Sequence, residues 1–223
     1  MSDMWVCELG SVPYLEALAL QDALRRARQA DEIPDTLLLL EHPPVYTRGR
    51  RSSPDELPAV ERRISGMPIE VVDVDRGGRV TYHGPGQLVG YPIMRIGDII
   101  GYLRMLESAI VAALASAGIA ARGGGERPTG VWTANRKIAS LGVHISRRVT
   151  THGFAVNVDN DLEPFAWIVP CGLPDVEMTS VARETGRAGD LERFRVTVAT
   201  EVARAAGRRA VAIEPEQLAA PVG

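Results

Sequence analysis

The chain has 223 residues, of which 45% are hydrophobic and 24% charged, and its formal net charge is −3. This length buries an ample core in one large domain or two small ones. The charge balance argues against the basic stripe that nucleic-acid-binding proteins present, although a small local basic patch is enough to steer an acidic partner.

The cysteines and histidines limit the compartment and the chemistry. Two cysteines, Cys7 and Cys171, make no disulfide framework, and no basic start followed by an apolar stretch directs export. The longest aliphatic run, 37–40, is far too short to span a bilayer. We therefore expect a cytoplasmic protein with reduced thiols that binds neither membrane nor nucleic acid. Because the histidines and cysteines lack metal-ligand spacing, no metal site is expected.

The first third of the chain predicts two strands around a helix. Residues 5–9 form a short opening strand, and Pro13 suits the first turn of a helix that runs to about Ala30. The aliphatic run 36–41 predicts a buried strand. Four prolines and many charges in 42–66 predict a long loop with little regular structure.

The remaining elements predict an α+β fold. Strands at 69–74 and 87–95 flank a glycine-rich block, and apolar residues at helical spacing predict a helix over 99–117. Glycine-punctuated strands follow at 130–134, 137–146 and 151–158, and a last helix at 190–206 has Asp190 as its cap. We predict a single domain over 1–223, with a mixed, largely antiparallel sheet and helices packed against it.

The cysteine in Pro170-Cys171-Gly172 is a candidate nucleophile. A free thiol has a pKa of about 8.5, so a nearby cation is needed to form much thiolate at neutral pH. The flanking proline and glycine predict a tight bend in which backbone N–H groups face a developing oxyanion. The alternative is a small buried hydrophobe, as most free cysteines are, and we assign that role to Cys7.

A single lysine, Lys137, enters the apolar run Ile138-Ala139. Such a lysine usually extends to solvent. If it is buried near Cys171, it either stabilises the thiolate as an ammonium or accepts a proton as a neutral amine. The 34-residue separation does not show that the two residues meet.

The block 76–88 is a candidate ligand cradle. Gly77-Gly78 lets the backbone approach a ligand closely, and Gly84-Pro85-Gly86 imposes a turn after His83. It matches neither a Walker loop nor GxGxxG. The alternative is a glycine-rich hairpin with Arg76 and Arg79 exposed.

His42, His83 and His152 are possible bases, but none has an evident carboxylate partner in the sequence, which favours structural hydrogen bonding. The tracts 48–51 and 147–148 are interpreted as solvated surface.

Five motifs in order resemble the lipoyl(octanoyl) transferase family. They are the run 41–47 (EHPPVYT), the block 76–88, 137–142 (KIASLG), 152–157 (HGFAVN) and 170–172 (PCG), and the resemblance covers about 5–186. It implies a fold like the catalytic domain of biotin and lipoate protein ligases. It also implies transfer of octanoyl from acyl carrier protein to lysines of lipoyl domains, those of 2-oxoacid dehydrogenases and of the glycine cleavage H protein, without a cofactor.

The resemblance also implies roles for particular residues. Cys171 matches the position that forms the acyl-enzyme thioester, and Lys137 the position that assists it. The implied acyl pocket consists of Arg76, Gly77, Gly78, Arg79, Val80, Thr81, Tyr82, His83, Ser140, Leu141, Gly142, Gly153, Phe154 and Ala155. Two positions depart from the family pattern, Thr151 where an aromatic residue is frequent and Phe154 where leucine is common. The tail 207–223 carries no motif that we can place.

Two other functions remain open on the sequence. An ATP-dependent lipoate or biotin ligase would share the fold and activate a free acid without needing Cys171. A non-catalytic module would hold an acyl or nucleotide ligand in the block 76–88, with Cys171 inert. ATP dependence distinguishes the first alternative, and slow alkylation of Cys171 with ligand binding unaffected by Cys171→Ala would favour the second.

Overall fold

A computed structural model describes residues 1–57, 63–64, 67–125, 127–168 and 176–218. The helices are α1 (Tyr14–Gln29), α2 (Ile99–Ser116), α3 (Glu163–Ala166), α4 (Val181–Thr185), α5 (Leu191–Ala205) and α6 (Pro215–Leu218), with a 3-10 turn at Pro54–Glu56. The strands are β1 (Asp3–Ser11), β2 (Asp35–Glu41), β3 (Val45–Arg48), β4 (Arg63–Ile64), β5 (Met67–Pro68), β6 (Glu70–Asp73), β7 (Thr81–His83), β8 (Gln87–Ile93), β9 (Arg122–Gly123), β10 (Gly130–Thr133), β11 (Arg136–Ser146), β12 (Val149–Asn157) and β13 (Arg209–Ile213).

Eight strands form the main sheet, in the order β13-β1-β2-β8-β12-β11-β10-β9. The pairs β13–β1 and β1–β2 are parallel, and all the others are antiparallel. A smaller sheet, β6-β3-β7, lies beside it, and β4 pairs with β5. The mixed, largely antiparallel sheet with packed helices confirms the predicted α+β class.

Helices cover both faces of the main sheet. On β2, Leu37 and Leu39 face the core under α2 and α5, whereas Leu38 and Leu40 face the core under α1, because successive side chains of a strand point to opposite faces. Helix α2 is the one helix in the described residues that is long and apolar enough to cross a membrane, and its Leu106 and Ile110 are fully buried in this core.

The small sheet packs against α3 through an apolar cluster that includes Tyr46, Tyr82 and Phe165. The phenol of Tyr46 donates a hydrogen bond to Pro164 O at 3.0 Å. The chain that leads from β6 to β7, residues 74–80, passes between the two sheets, and Gly77 N donates to Val143 O of β11 at 2.9 Å. This arrangement brings the glycine-rich block against the main sheet.

One expectation was wrong. The stretch 42–66 was predicted to have little regular structure, but its β-branched and aromatic residues at Val45–Arg48 form β3, which gains partners on both sides from β6 and β7. In the tail, for which the sequence gave no motif, Arg209–Ile213 form β13, which extends the main sheet by pairing with β1 from Asp3 to Cys7.

Candidate active site

A cavity of about 450 Å³, counted out to its open mouth, lies between the glycine-rich block and the middle of the main sheet. It is lined by all of the predicted acyl-pocket residues except Gly77, Val80 and Tyr82. Gly77 instead bonds β11, while Val80 and Tyr82 are buried in the cluster beneath the small sheet. Three further residues line the cavity: Tyr14, Tyr91 and His152. For His152 the sequence favoured structural hydrogen bonding over a role as a base and did not assign it to the pocket, and no sequence signal marked the two tyrosines.

Glycines form the part of the cavity that lies on the sheet. Gly142 of β11 pairs with Gly153 of β12. A β-carbon on Gly142 would lie 2.8 Å from Gly77 O, and one on Gly153 would lie 2.2 Å from Gly90 O. Neither position tolerates a side chain, so the backbone itself forms this surface of the cavity.

Arg76 joins the two sheets. It is 7% exposed, and its Nη2 donates to Thr47 O at 2.8 Å and to Thr47 Oγ1 at 2.6 Å. Its aliphatic stem passes over Gly142, where an added β-carbon would lie 3.1 Å from Arg76 Cδ. The alternative of a hairpin with two exposed arginines is therefore wrong for Arg76, while Arg79 is partly exposed and pairs with buried Glu56.

The tautomer of His83 follows from its neighbours. Gln87 Nε2 donates to Tyr82 O at 3.2 Å and to Asn157 Oδ1 at 2.9 Å. Gln87 Oε1 is therefore an acceptor, and His83 Nδ1, 2.7 Å away, carries the proton and donates it. Burial holds the pKa of His83 well below its usual value. His83 is thus neutral, with the lone pair on Nε2.

His152 has a carboxylate partner that is 77 positions away in the chain. Its Nε2 lies 2.8 Å from Asp75 Oδ1, and its Nδ1 lies 3.4 Å from Tyr14 OH. The hydrogen bond with His152 lowers the pKa of Asp75 to about 2. Burial nevertheless lowers the pKa of His152, because desolvation outweighs attraction to a carboxylate that is itself half exposed.

His42 lies behind the cavity wall. Its Nδ1 donates to Val12 O at 2.6 Å, so its Nε2 accepts from Tyr91 OH at 2.7 Å. Burial lowers the pKa of His42 to about 4 and raises that of Tyr14 to about 12. The histidine and tyrosine side chains at this end of the cavity are therefore polar but neutral near pH 7.

Ser140 has the unpaired hydroxyl of the cavity. Its Oγ is buried and has no hydrogen-bond partner among the described residues, although the residue lines the cavity. A buried hydroxyl without a partner costs stability, so this oxygen is available to a bound ligand.

Lys137 is the only lysine in the chain, and it is 2% exposed. Its Nζ lies 5.6 Å from the centroid of the Trp132 ring. The side chain therefore does not extend to solvent, which was the ordinary expectation for a lysine entering a strand. Lys137 borders a second depression, which meets the cavity at Gly78, Arg79, Leu141 and Gly142.

Cys171 lies outside the described residues, but both flanks of its segment are described. Lys137 N donates to Glu177 O at 2.9 Å, and Thr179 N donates to Lys137 O at 2.9 Å. Ile168, on the other flank, is buried in the same apolar cluster as Met178. Cys7, in contrast, is fully buried in β1, and burial raises the pKa of its thiol to about 11.

The sequence of this chain matches a known protein family and named relatives within it. The sequence profile of the lipoyl protein ligase A/B catalytic domain matches residues 13–203. A relative named octanoyltransferase, from Acidothermus cellulolyticus, is 52% identical over 186 residues, which cover 80% of this chain and 80% of the relative.

Solved structures share the fold at low sequence identity. A bipartite lipoate protein ligase from Thermoplasma acidophilum, studied with its E2 lipoyl domain, matches with a TM-score of 0.70 and 17% identity, over 98% of this chain and 91% of that one. A biotin protein ligase from Aquifex aeolicus matches with a TM-score of 0.53 and 12% identity, over 92% and 69%. The expected likeness to lipoate and biotin ligases is confirmed.

Proposed function

The chain belongs to the lipoyl protein ligase A/B catalytic domain family, and from this premise we propose that Cys171 carries an octanoyl group as a thioester with Lys137 as its partner. The chain is an enzyme that transfers octanoyl groups in protein lipoylation, with lipoyl domains as acceptors. We further propose that the donor is octanoyl-acyl carrier protein and that the acceptors include 2-oxoacid dehydrogenases and the glycine cleavage H protein. The whole chain, 1–223, would act as one catalytic domain in the cytoplasm.

The observation that carries the proposal is that buried Lys137 lines the depression beside the cavity and bonds the chain that follows the Cys171 segment. Glu177 and Thr179 bond the backbone of Lys137 directly. Ile168, on the other flank of the Cys171 segment, shares an apolar cluster with Met178. A buried ammonium in this position lowers the free energy of a nearby thiolate.

The first half-reaction transfers the acyl group to the enzyme. The thiolate of Cys171 attacks the donor's thioester carbon, a new C–S bond forms, and the tetrahedral oxyanion collapses by breaking the bond to the carrier's sulfur. The leaving thiolate takes a proton from the Lys137 ammonium, which becomes a neutral amine. The octanoyl chain lies in the cavity, beside the apolar side chains of Leu141 and Phe154.

The second half-reaction transfers the acyl group to the acceptor lysine. The acceptor loses one proton to solvent before its amine attacks the acyl-enzyme. Lys137 takes the second proton as the amide forms and the Cys171 thiolate leaves, which restores the ion pair. The first step exchanges the donor's thioester for the enzyme's thioester, and the second exchanges the enzyme's thioester for an amide. Because the donor's thioester is already activated, the reaction needs no ATP.

Ser140 is positioned to assist both steps. It is the register partner of Gly130, against which the Lys137 side chain lies. Its buried Oγ has no hydrogen-bond partner among the described residues, and the residue lines the cavity. We propose that the Ser140 hydroxyl donates a hydrogen bond to the acyl carbonyl oxygen.

Intact-mass measurement tests the proposal. The protein is incubated with octanoyl-acyl carrier protein without ATP, beside a Cys171→Ser variant. We expect a hydroxylamine-labile octanoyl adduct on the natural protein alone, which a lipoyl domain removes. Modification of the acceptor only with octanoate and ATP would favour the ligase alternative and overturn the thioester route.

A further inference from the structure

A second depression, which we call the basic groove, adjoins the acyl cavity. It encloses about 1270 Å³ out to open solvent and shares four lining residues with the cavity, so the two spaces are adjacent. The basic groove is formed by the start of α2, Gly125, residues 127–129, β11, the glycine-rich block and Arg51. Lys137 lies on its wall.

The basic groove concentrates positive charge on a chain of net charge −3. Its cationic residues are Arg51, Arg79, Arg104, Arg127 and Lys137, and none of its described lining residues is acidic. Two of these cations form ion pairs with buried carboxylates. Arg79 pairs with Glu56 and Arg104 pairs with Glu107, and the two glutamate side chains are 4% and 2% exposed.

Two of the arginines remain electrically uncompensated within the described chain. The exposed guanidinium of Arg51 has no hydrogen bond or ion pair to a described residue. That of Arg127 donates to Ala134 O at 3.1 Å and Asn135 Oδ1 at 2.7 Å, both neutral acceptors. Uncompensated guanidinium groups bind phosphate oxygens and carboxylates well.

An apolar edge accompanies the charge. Ile99 lines the groove and is 44% exposed, and the adjacent Ile100 is 66% exposed. Large exposed aliphatic side chains beside a charged surface are typical of a site that receives a protein partner rather than a free small anion.

We propose that the basic groove docks the carrier of the acyl donor, binding the phosphodiester of its prosthetic arm and the carboxylate-rich surface around that arm. This inference rests on the proposed function. With the octanoyl chain in the cavity and the thioester beside Lys137, the remainder of the donor leaves the site along the groove. Arg51 and Arg127 meet the anionic groups, and Ile99 and Ile100 contact the carrier's apolar surface.

Single-turnover acylation with two donors tests the inference. Octanoyl-acyl carrier protein has the charged arm and protein, whereas octanoyl-N-acetylcysteamine is an uncharged thioester that fits only the cavity. For Arg51→Glu and Arg127→Gln we expect the ratio of the carrier rate to the small-thioester rate to fall, by about tenfold for the charge reversal. The salt dependence of the carrier rate should become weaker.

The matched control is Arg187→Glu, which makes the same charge change at an exposed arginine outside the groove. Its ratio should stay within twofold of the natural protein. An unchanged ratio for Arg51→Glu, an equal fall with both donors, or a defect confined to transfer from acyl-enzyme to lipoyl domain would each overturn the inference. Failure of the natural protein to acylate with either donor would instead contradict the proposed function.

Discussion

The side chain of Lys137 occupies the space that a side chain on Gly130 would need. A β-carbon on Gly130 would lie 2.5 Å from Lys137 Cε and 3.3 Å from its Nζ. Buried Glu107 fixes this glycine by accepting a hydrogen bond from Gly130 N at 3.0 Å and another from Gly124 N at 3.2 Å. The Lys137 side chain can occupy this space only because residue 130 on the neighbouring strand is a glycine.

Gly130→Ala should displace Lys137 and slow acyl-enzyme formation about a hundredfold, since a shift of about 1 Å in a reacting group has that effect. Stopped-flow acylation measures the rate. Gly118→Ala is the control, because Gly118 also has a positive φ but an added β-carbon there meets nothing within 4 Å. Equal rates in the two variants would show that Lys137 is not held by Gly130.

Lys137→Arg should separate the two roles of the lysine. Arginine keeps the positive charge beside the thiolate but cannot act as a base near neutrality. We expect an acyl-enzyme that still forms and then fails to transfer to the lipoyl domain, as single-turnover mass spectrometry of both steps would record. If transfer survives from pH 6 to 9, the lysine is a charge partner only and the proton leaves by another route.

Ser140→Ala should reduce activity without reducing stability. Since Ser140 Oγ has no partner among the described residues, its removal loses no hydrogen bond in the free enzyme, whereas the transition state loses one donor. We expect acylation to slow by about tenfold to a hundredfold and the free energy of unfolding to change by less than about 0.5 kcal/mol.

Ser180→Ala provides the contrasting control for that measurement. Ser180 Oγ caps α4 by accepting from Arg183 N at 3.2 Å, so its loss should destabilise the protein by about 1 kcal/mol. Urea denaturation of both variants compares the two effects. A Ser140→Ala variant that loses stability but keeps its acylation rate would assign Ser140 to the fold alone.

The buried histidines predict acid sensitivity. The folded pKa of His42 is about 4 against about 6.5 when unfolded, so the unfolded chain takes up its proton first as pH falls. The stabilisation is complete above pH 6.5 and is lost as pH falls towards 4, by about 3 kcal/mol. His42→Gln should flatten this slope in urea titrations. An identical slope in the natural protein and the variant would contradict the assignment.

Periodicity predicted the elements that carry a buried face. The helical spacing in α2 and α5 and the aliphatic run of β2 reflect burial against the sheet, which is why sequence patterns located them. The strand β13 is mostly exposed and has no such pattern, because its conformation comes from pairing with β1, which is about 200 residues away in the chain.

The cavity was predictable only in part. The glycine-rich block and β11–β12 carry motifs, so their cavity residues could be named from the sequence. Tyr14, at the start of α1, and Tyr91, within β8, reach the cavity through tertiary packing and have no local signal. The same holds for the contact of His152 with Asp75, which joins β12 to a loop between the sheets.

The single lysine has a consequence for an enzyme that attaches acyl groups to lysines. The chain has 25 lysines and arginines together, and every one but Lys137 is an arginine. Guanidinium groups stay protonated and are poor nucleophiles at neutral pH, so they do not accept acyl groups. Because Lys137 is buried, the enzyme surface offers no side-chain amine that would compete with the acceptor for the octanoyl group. The chain is thereby protected against modifying itself.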